Sequence, residues 1–202
     1  MRTLTIIQAR MSSSRFPGKT LADLNGKPVI QHVIDRLADC FYVGHLIVAT
    51  STDPSDDPLV EWCHSYDTDV HRGSLDDVLS RYWSCAKAYG AKTIVRVTAD
   101  CPMLDSSLLD CTISRLHTRN AAYAATKGWP AGVGQECFTF DALHNAWKHA
   151  SSPHDREHVV TYMLDHPADF VAAYVCNPEP TDAPSLTLDT PDDLERLRRM
   201  LA

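Results

Sequence analysis

The chain has 202 residues, 44% hydrophobic and 22% charged, proportions of a soluble globular protein with enough material for a full core. A formal net charge of −7 argues against a broad nucleic-acid interface, which needs a basic face, while leaving room for one nucleotide held by a local cluster of cations. No apolar stretch is long enough to span a bilayer, and Met1–Thr5 runs into a strand pattern without the apolar core of a secretory signal. The expectation is therefore a cytoplasmic protein without membrane or nucleic-acid partners. Seven cysteines with no C-x-x-C pair fit reduced thiols rather than a disulfide frame or a zinc knuckle.

In chain order, Thr5-Ile6-Ile7 begins a short apolar run of the buried parallel-strand kind. Pro28 to Cys40 has helical spacing at Val29, Ile30, Val33, Ile34 and Leu37. Leu46 to Thr50 reads as a strand, and a helix passes through Val60, Trp62 and Cys63. Asp69-Val70-His71 is a third strand. Ser74-Leu75-Asp76-Asp77 reads as a capping box with Ser74 as N-cap, opening a helix through Val78, Leu79, Tyr82, Trp83 and Ala86 to Gly90. Thr93 to Thr98 is a fourth strand. Such alternation predicts an α/β fold with a mostly parallel sheet covered by helices, its ligands at the carboxyl ends of the strands. Gln8 to Lys19, Thr50, Arg72-Gly73 and Asp100 all fall at those ends and should meet on one rim.

The second half reads as a helix over Ser107 to Leu116, strands over Ala121 to Ala125 and Glu136 to Phe140, and a helix over Ala142 to Trp147. A helix over His154 to Leu164 and a strand over Phe170 to Val175 follow. Ser185 to Leu188 reads as a further strand leading to Asp189, and Thr190-Pro191-Asp192-Asp193 opens a terminal helix with Thr190 as N-cap. No repeat or linker divides the chain, so a single domain over 1–202 is expected, 1–104 its nucleotide-binding half and 105–202 its acceptor half with the C-terminal helix.

The chemistry concentrates in Gln8-Ala9-Arg10-Met11-Ser12-Ser13-Ser14-Arg15-Phe16-Pro17-Gly18-Lys19. Small residues let backbone N–H groups turn toward a ligand, and three cations within ten residues repel one another until a polyanion sits among them. A triphosphate is the natural candidate. Ser13 to Thr20 is one residue short of a P-loop, with Ser13 in place of the first glycine. A P-loop also needs a long helix opening at Gly-Lys-Thr, and Gly26 and Pro28 interrupt the chain too soon. Asp100 and Asp189 each follow a strand pattern, and two carboxylates with phosphate oxygens and water are a donor set suited to Mg²⁺. Either aspartate can instead cap a helix. His154-Asp155-Arg156-Glu157-His158 fits H-x-x-E-H, a zinc-site reading that five residues support only weakly.

The opening loop, together with Thr98-Ala99-Asp100-Cys101-Pro102 and Leu188-Asp189-Thr190-Pro191-Asp192-Asp193-Leu194, resembles the cytidylyltransferases of surface-sugar biosynthesis. The likeness is to the spore coat polysaccharide biosynthesis protein F type, and to the synthetases of CMP-Kdo and CMP-sialic acid. It implies a three-layer nucleotide-diphospho-sugar transferase fold, GT-A or Rossmann-like, and transfer of CMP from CTP to a sugar, expected to be an acidic eight- or nine-carbon ulosonic acid. A homodimer is the habit of that family. By the resemblance Arg10, Arg15 and Lys19 bind phosphates, Gln8 and Ala9 lie beside the nucleotide, and Arg72, Gly73, Ser74 and Asp77 face cytosine and ribose. Asp100 and Asp189 hold Mg²⁺, with Arg10, Lys19 and Asp100 catalytic. Trp129, Glu136, Arg156 and His158 meet the acceptor. The loop Trp129 to Glu136 departs from the family at Gly134, where relatives often have Asp, leaving a neutral or unusual acceptor open. A glycosyltransferase using a ready-made nucleotide sugar, or a non-catalytic nucleotide-binding relative, are the alternatives.

Overall fold

The computed structural model describes residues 2–202. The first half builds β1 (Thr3–Gln8), the short hairpin β2 (Asp23–Leu24) and β3 (Lys27–Pro28), α1 (Val29–Leu37), β4 (His45–Ser51), α2 (Asp57–Ser65), β5 (Asp69–Gly73), α3 (Val78–Ala88) and β6 (Thr93–Thr98). There follow α4 (Ser106–Thr118), β7 (Tyr123–Lys127), β8 (Glu136–Thr139) and α5 (Phe140–His149). The chain ends with α6 (Pro153–Glu157), α7 (Thr161–Asp165), β9 (Ala172–Cys176) and α8 (Pro191–Met200).

Seven strands form one sheet in the order β5-β4-β1-β6-β8-β7-β9. β1 lies at its middle, parallel to both β4 and β6, which explains the unbroken burial and largely apolar character of Leu4 to Ile7: both faces of the strand are covered. β8 enters antiparallel to β6 and β7, the mixed extension expected beside the acceptor half. One apolar layer, with Leu79, Tyr82, Phe138 and Leu143, packs beneath α3 and α5. The other, with Val33, Leu59, Val97 and Ile113, packs beneath α1, α2 and α4. No helix among the described residues is long and apolar enough to cross a membrane.

Three expectations are corrected. The helix at residue 78 begins later than Ser74: Asp77 is its N-cap and accepts from Ser80 N at 2.8 Å, while Ser74 Oγ accepts from Asp77 N at 3.0 Å in the preceding turn. A carboxylate three residues closer to the first helical N–H groups wins the cap. The helix over His154 to Leu164 is two short ones, broken between His158 and Val160. Residues 185–188 pair with no strand; the segment is held instead by Leu188 N donating to the Asp100 carbonyl at 2.8 Å. The other elements match their expected places to within a few residues. The Gly18-Lys19-Thr20 turn opens only a three-residue 3-10 helix, Lys19–Leu21, as the interruptions at Gly26 and Pro28 require.

A third apolar cluster positions the site. Leu24 from the hairpin and Val29 at the start of α1 meet Leu188, Leu194 and Leu197 from the C-terminal segment, with Phe16 of the opening loop packed against them. The capping box of Thr190 and Asp193 fixes the start of α8 at the same point. The loop and Asp189 therefore share one small hydrophobic support. Leu197→Ala is expected to cost about 2–5 kcal/mol, the range for deleting a fully buried leucine side chain, read as a shifted midpoint in denaturant unfolding.

Candidate active site

The loop after β1 is closed on itself before any ligand is considered. Gly18 N and Ser13 N both donate to the Met11 carbonyl, at 2.9 and 3.0 Å, and Thr20 Oγ1 donates to the Arg10 carbonyl at 3.0 Å. Its outer tie is Asp56, completely buried, which accepts from Met11 N at 2.7 Å and from the backbone and hydroxyl of Ser51 at the end of β4. Burial works to raise the Asp56 pKa, but the donors from Met11 and Ser51 outweigh it and hold the carboxyl below its ordinary range.

Inside the loop, Lys19 Nζ donates to Asp100 Oδ2 at 2.7 Å, to the Leu188 carbonyl at 2.7 Å and to Asp189 Oδ1 at 3.0 Å. Arg15 Nη2 reaches the same Asp189 oxygen at 2.9 Å. Two carboxylates from distant parts of the chain thus touch one cationic atom. For Asp100 burial again pushes the pKa up, and the Lys19 charge and hydrogen bond bring it below the ordinary value. Arg10 is exposed and enters none of the ion pairs among the described residues. It borders two hollows: one of about 220 Å³ between the loop and Asp100 and Asp189, the other of about 340 Å³ with Asp77 and Arg156.

A further hollow of about 360 Å³ opens on the β8 side, walled by Arg96, Tyr123, Thr126, Gln135 and Glu136 among others. Arg96 and Glu136 are cross-strand partners in the β6–β8 ladder, so their side chains share a face. Arg96 Nη1 donates to Glu136 Oε1, Arg96 Nη2 to Gln8 Oε1 at 3.2 Å, and the Tyr123 hydroxyl to Glu136 Oε2. The largest hollow, about 770 Å³ on the outer face of α4 around Arg115 and Val175, contains none of the rim residues.

The sequence profile described as Cytidylyltransferase matches residues 4–197. The chain belongs to the cytidylyltransferase family. It is similar to the spore coat polysaccharide biosynthesis protein SpsF of Bacillus subtilis, 32% identical over 204 residues that cover 98% of this chain and 85% of that protein. It is also similar to the 3-deoxy-manno-octulosonate cytidylyltransferase of Geobacter sulfurreducens, 35% identical over 128 residues, 62% of this chain and 50% of that protein. A solved cytidylyltransferase of Leptospira borgpetersenii shares its fold with a TM-score of 0.93 at 29% identity, covering 98% of this chain and 85% of that one. The nucleotidyltransferase fold and enzyme class expected from the sequence are those of this family.

In this cytidylyltransferase, Gln8, Ala9, Arg10, Arg15, Lys19, Asp100 and Asp189 converge on one hollow. Arg156 meets Asp77 at 3.5 Å across the next one, joining a residue expected at the nucleotide to one expected at the acceptor. Other candidates are differently engaged. Arg72 is spent on the Ser51 and Asp53 carbonyls and on Asp57 at 2.8 Å, so it ties the ends of β4 and β5 together. A Cβ on Gly73 would approach Arg81 Cγ to 3.0 Å, so the glycine makes room for the protein's own side chain. The Ser74 carbonyl accepts from Arg81 at 2.9 Å. Trp129 is half-buried and stands just outside the wall formed by Ala131 and Gly132. His158 lies edge-on to His154 at 4.5 Å and borders none of these hollows. No group of three or more His, Cys, Asp or Glu side chains able to hold a metal occurs among the described residues, which removes the zinc reading.

Sequence reasoning missed Asp56, Arg96 and Tyr123. Arg96 carried a readable signal, a lone charge between Val95 and Val97 in a buried strand. Asp56 is one of three acids from Asp53 to Asp57, read only as punctuation, and nothing in their order marks the buried one. Because the folded pKa of Asp56 is depressed, its stabilisation is full above the ordinary carboxylate pKa of about 3.9 and is lost as pH falls through the lowered value. Asp56→Ala strands several donors and is expected to cost about 2–4 kcal/mol at neutral pH, with the difference from wild type shrinking in unfolding titrations below about pH 4.

Proposed function

We propose that the chain transfers CMP from CTP to an oxygen of a sugar, releasing pyrophosphate, in a Mg²⁺-dependent reaction that supplies activated sugar for a surface polysaccharide. The single observation that carries this reading is the contact of Asp100 and Asp189 with one cationic centre, Lys19 Nζ, beneath a loop bearing two more arginines. The family membership and the similarity to SpsF support the substrate and the pathway.

The donor set fits magnesium. Two carboxylates within reach of a common cation leave the remaining octahedral positions to phosphate oxygens and water, the arrangement this ion favours over an all-protein cage. Mg²⁺ bound by Asp100 and Asp189 supplies neutralisation of the α-phosphate and of the departing pyrophosphate. The protein's own groups do the rest. Backbone turns of residues 11–18 shape the cradle, and Arg10, Arg15 and Lys19 neutralise the triphosphate tail and the charge that grows on it. Gln8 and Ala9, at the end of β1, border the nucleotide. The acceptor oxygen bonds to the α-phosphorus, and the bond to the α–β bridging oxygen breaks with its electron pair leaving on pyrophosphate. A hydroxyl acceptor gives its proton to water.

Lys19→Ala and Asp100→Ala are each expected to lower turnover by about two orders of magnitude or more, the size of effect when one charge-stabilising group is removed. Chelation of divalent metal should abolish turnover reversibly. Pyrophosphate release from CTP is the readout; near-normal release by Asp100→Ala rejects the metal assignment, and transfer from a nucleotide sugar without pyrophosphate rejects the reaction class.

A further inference from the structure

The hollow beside β8 combines polar groups with small apolar surface and offers no uncommitted cation. Arg96 is its one positive group, and the guanidinium is already divided. One terminal nitrogen donates to Glu136, the other to Gln8, and Nε is buried without a partner, out of reach of a ligand. Both terminal nitrogens that would grip a carboxylate through two parallel bonds are therefore already engaged, one by the protein's own carboxylate and the other by the Gln8 amide oxygen. Glu136 is in turn fixed from its other oxygen by the Tyr123 hydroxyl. With both carboxylate oxygens anchored, their remaining lone pairs can accept hydrogen bonds from a ligand's hydroxyl groups, while the Arg96 charge is already neutralised by Glu136 and leaves no positive charge to pair with a ligand carboxylate.

The rest of the wall agrees. Thr98, Thr126, Gln135 and Thr187 supply hydroxyls and an amide, and Ala125, Ala131 and Gly132 supply small neutral surfaces. The Thr126 side chain fills the space above Gly134: a Cβ built on that glycine would lie 1.9 Å from Thr126 Oγ1. No charged side chain can be introduced there without displacing Thr126. The next cation along β7, Lys127, lies over the Tyr174 ring at 3.5 Å. Around the neighbouring hollow, Arg10 and Arg156 are faced by Asp76, Asp77 and Glu157, so no surplus of positive charge waits there for an acid.

We infer that this hollow takes the uncharged, polyhydroxylated body of the acceptor sugar, and that the Glu136–Arg96 pair, fixed by Tyr123, discriminates against a carboxylate-bearing acceptor. The inference rests on the proposed CMP transfer and revises its acceptor from an acidic ulosonic acid to a sugar whose only hydrogen-bonding groups in this hollow are hydroxyls. The attacking oxygen can belong to a free hydroxyl or to a sugar phosphate, because that end of the acceptor faces the CTP site rather than Glu136.

The test is calorimetric binding to protein loaded with Mg²⁺ and a CTP analogue uncleavable between its α- and β-phosphates. The probes are a neutral ketose, the 1-phosphate of a hexose whose ring bears only hydroxyls, and an eight-carbon 2-keto-3-deoxy acid. Binding of the analogue alone reads the CMP-transfer proposal separately, before any acceptor is added. At least one neutral-bodied probe is expected to bind ten-fold or more tightly than the acid, the first two distinguishing hydroxyl from phosphate as the attacking group. Glu136→Gln keeps the shape and a hydrogen bond to Arg96 but removes the charge, and should shift the neutral-to-acid affinity ratio at least ten-fold toward the acid. Tyr123→Phe keeps the charge and should leave that ratio near the wild-type value, separating charge from local packing. Tighter binding of the acid by wild type, an unmoved ratio in Glu136→Gln, or binding of none of the three to analogue-loaded protein overturns the inference.

Discussion

The structure depends on the ammonium group of Lys19. It ties residue 19 to residues 100, 188 and 189 through three contacts of 2.7–3.0 Å, joining the first loop, the end of the central strand pair and the start of the last helix. None of these segments is neighbour to another in sequence. Without the shared cation, Asp100 and Asp189 would face each other as like charges near the edge of the sheet, an arrangement that raises a carboxylate pKa and pushes the segments apart. With it, the Lys19 charge and hydrogen bond hold the Asp100 carboxyl below its ordinary range and keep the two acids close together, as the proposed divalent ion requires.

Two polar networks divide the rim and give its halves different electrostatic characters. On the β1 side, Lys19 and Arg15 balance Asp100 and Asp189, so Arg10 is the cation left over. On the β8 side, Arg96 and Glu136 cancel each other in a ladder pair. Burial lowers the tendency of Arg96 to stay charged, and the adjacent Glu136 carboxylate more than reverses this, raising its pKa. Gln8 touches both halves: it lines the nucleotide hollow and accepts from Arg96. The end of β1 is therefore the seam at which donor and acceptor would meet.

Much of this was legible in the residues. The alternation of strand and helix through Thr98 required a parallel sheet, and a parallel sheet sends Gln8, Thr50, Arg72 and Asp100 to a common rim. Thr190-Pro191-Asp192-Asp193 announced the start of α8 because its capping chemistry is local. What was not legible depends on tertiary contact. Residues 185–188 have strand composition but no strand beside them; their backbone partners are the isolated carbonyls of Ala131 and Asp100. Arg72 and Gly73 look like ligand residues until Asp57 and Arg81 are seen to engage them. The 154–164 segment has helical composition, yet the chain turns at residues 158–160 to bring Arg156 toward Asp77. Local pattern sets which elements form, while competition among side chains for the same space and the same donors sets what each residue does.

The most direct test of the account is a crystal structure of the complex with CTP and Mg²⁺. The account predicts a metal ion bridging the carboxylates of Asp100 and Asp189 to the α-phosphate, with the triphosphate tail within hydrogen-bonding distance of Arg10, Arg15 and Lys19. A nucleotide bound elsewhere, or bound here with the two aspartates contacting no common ion, would contradict it.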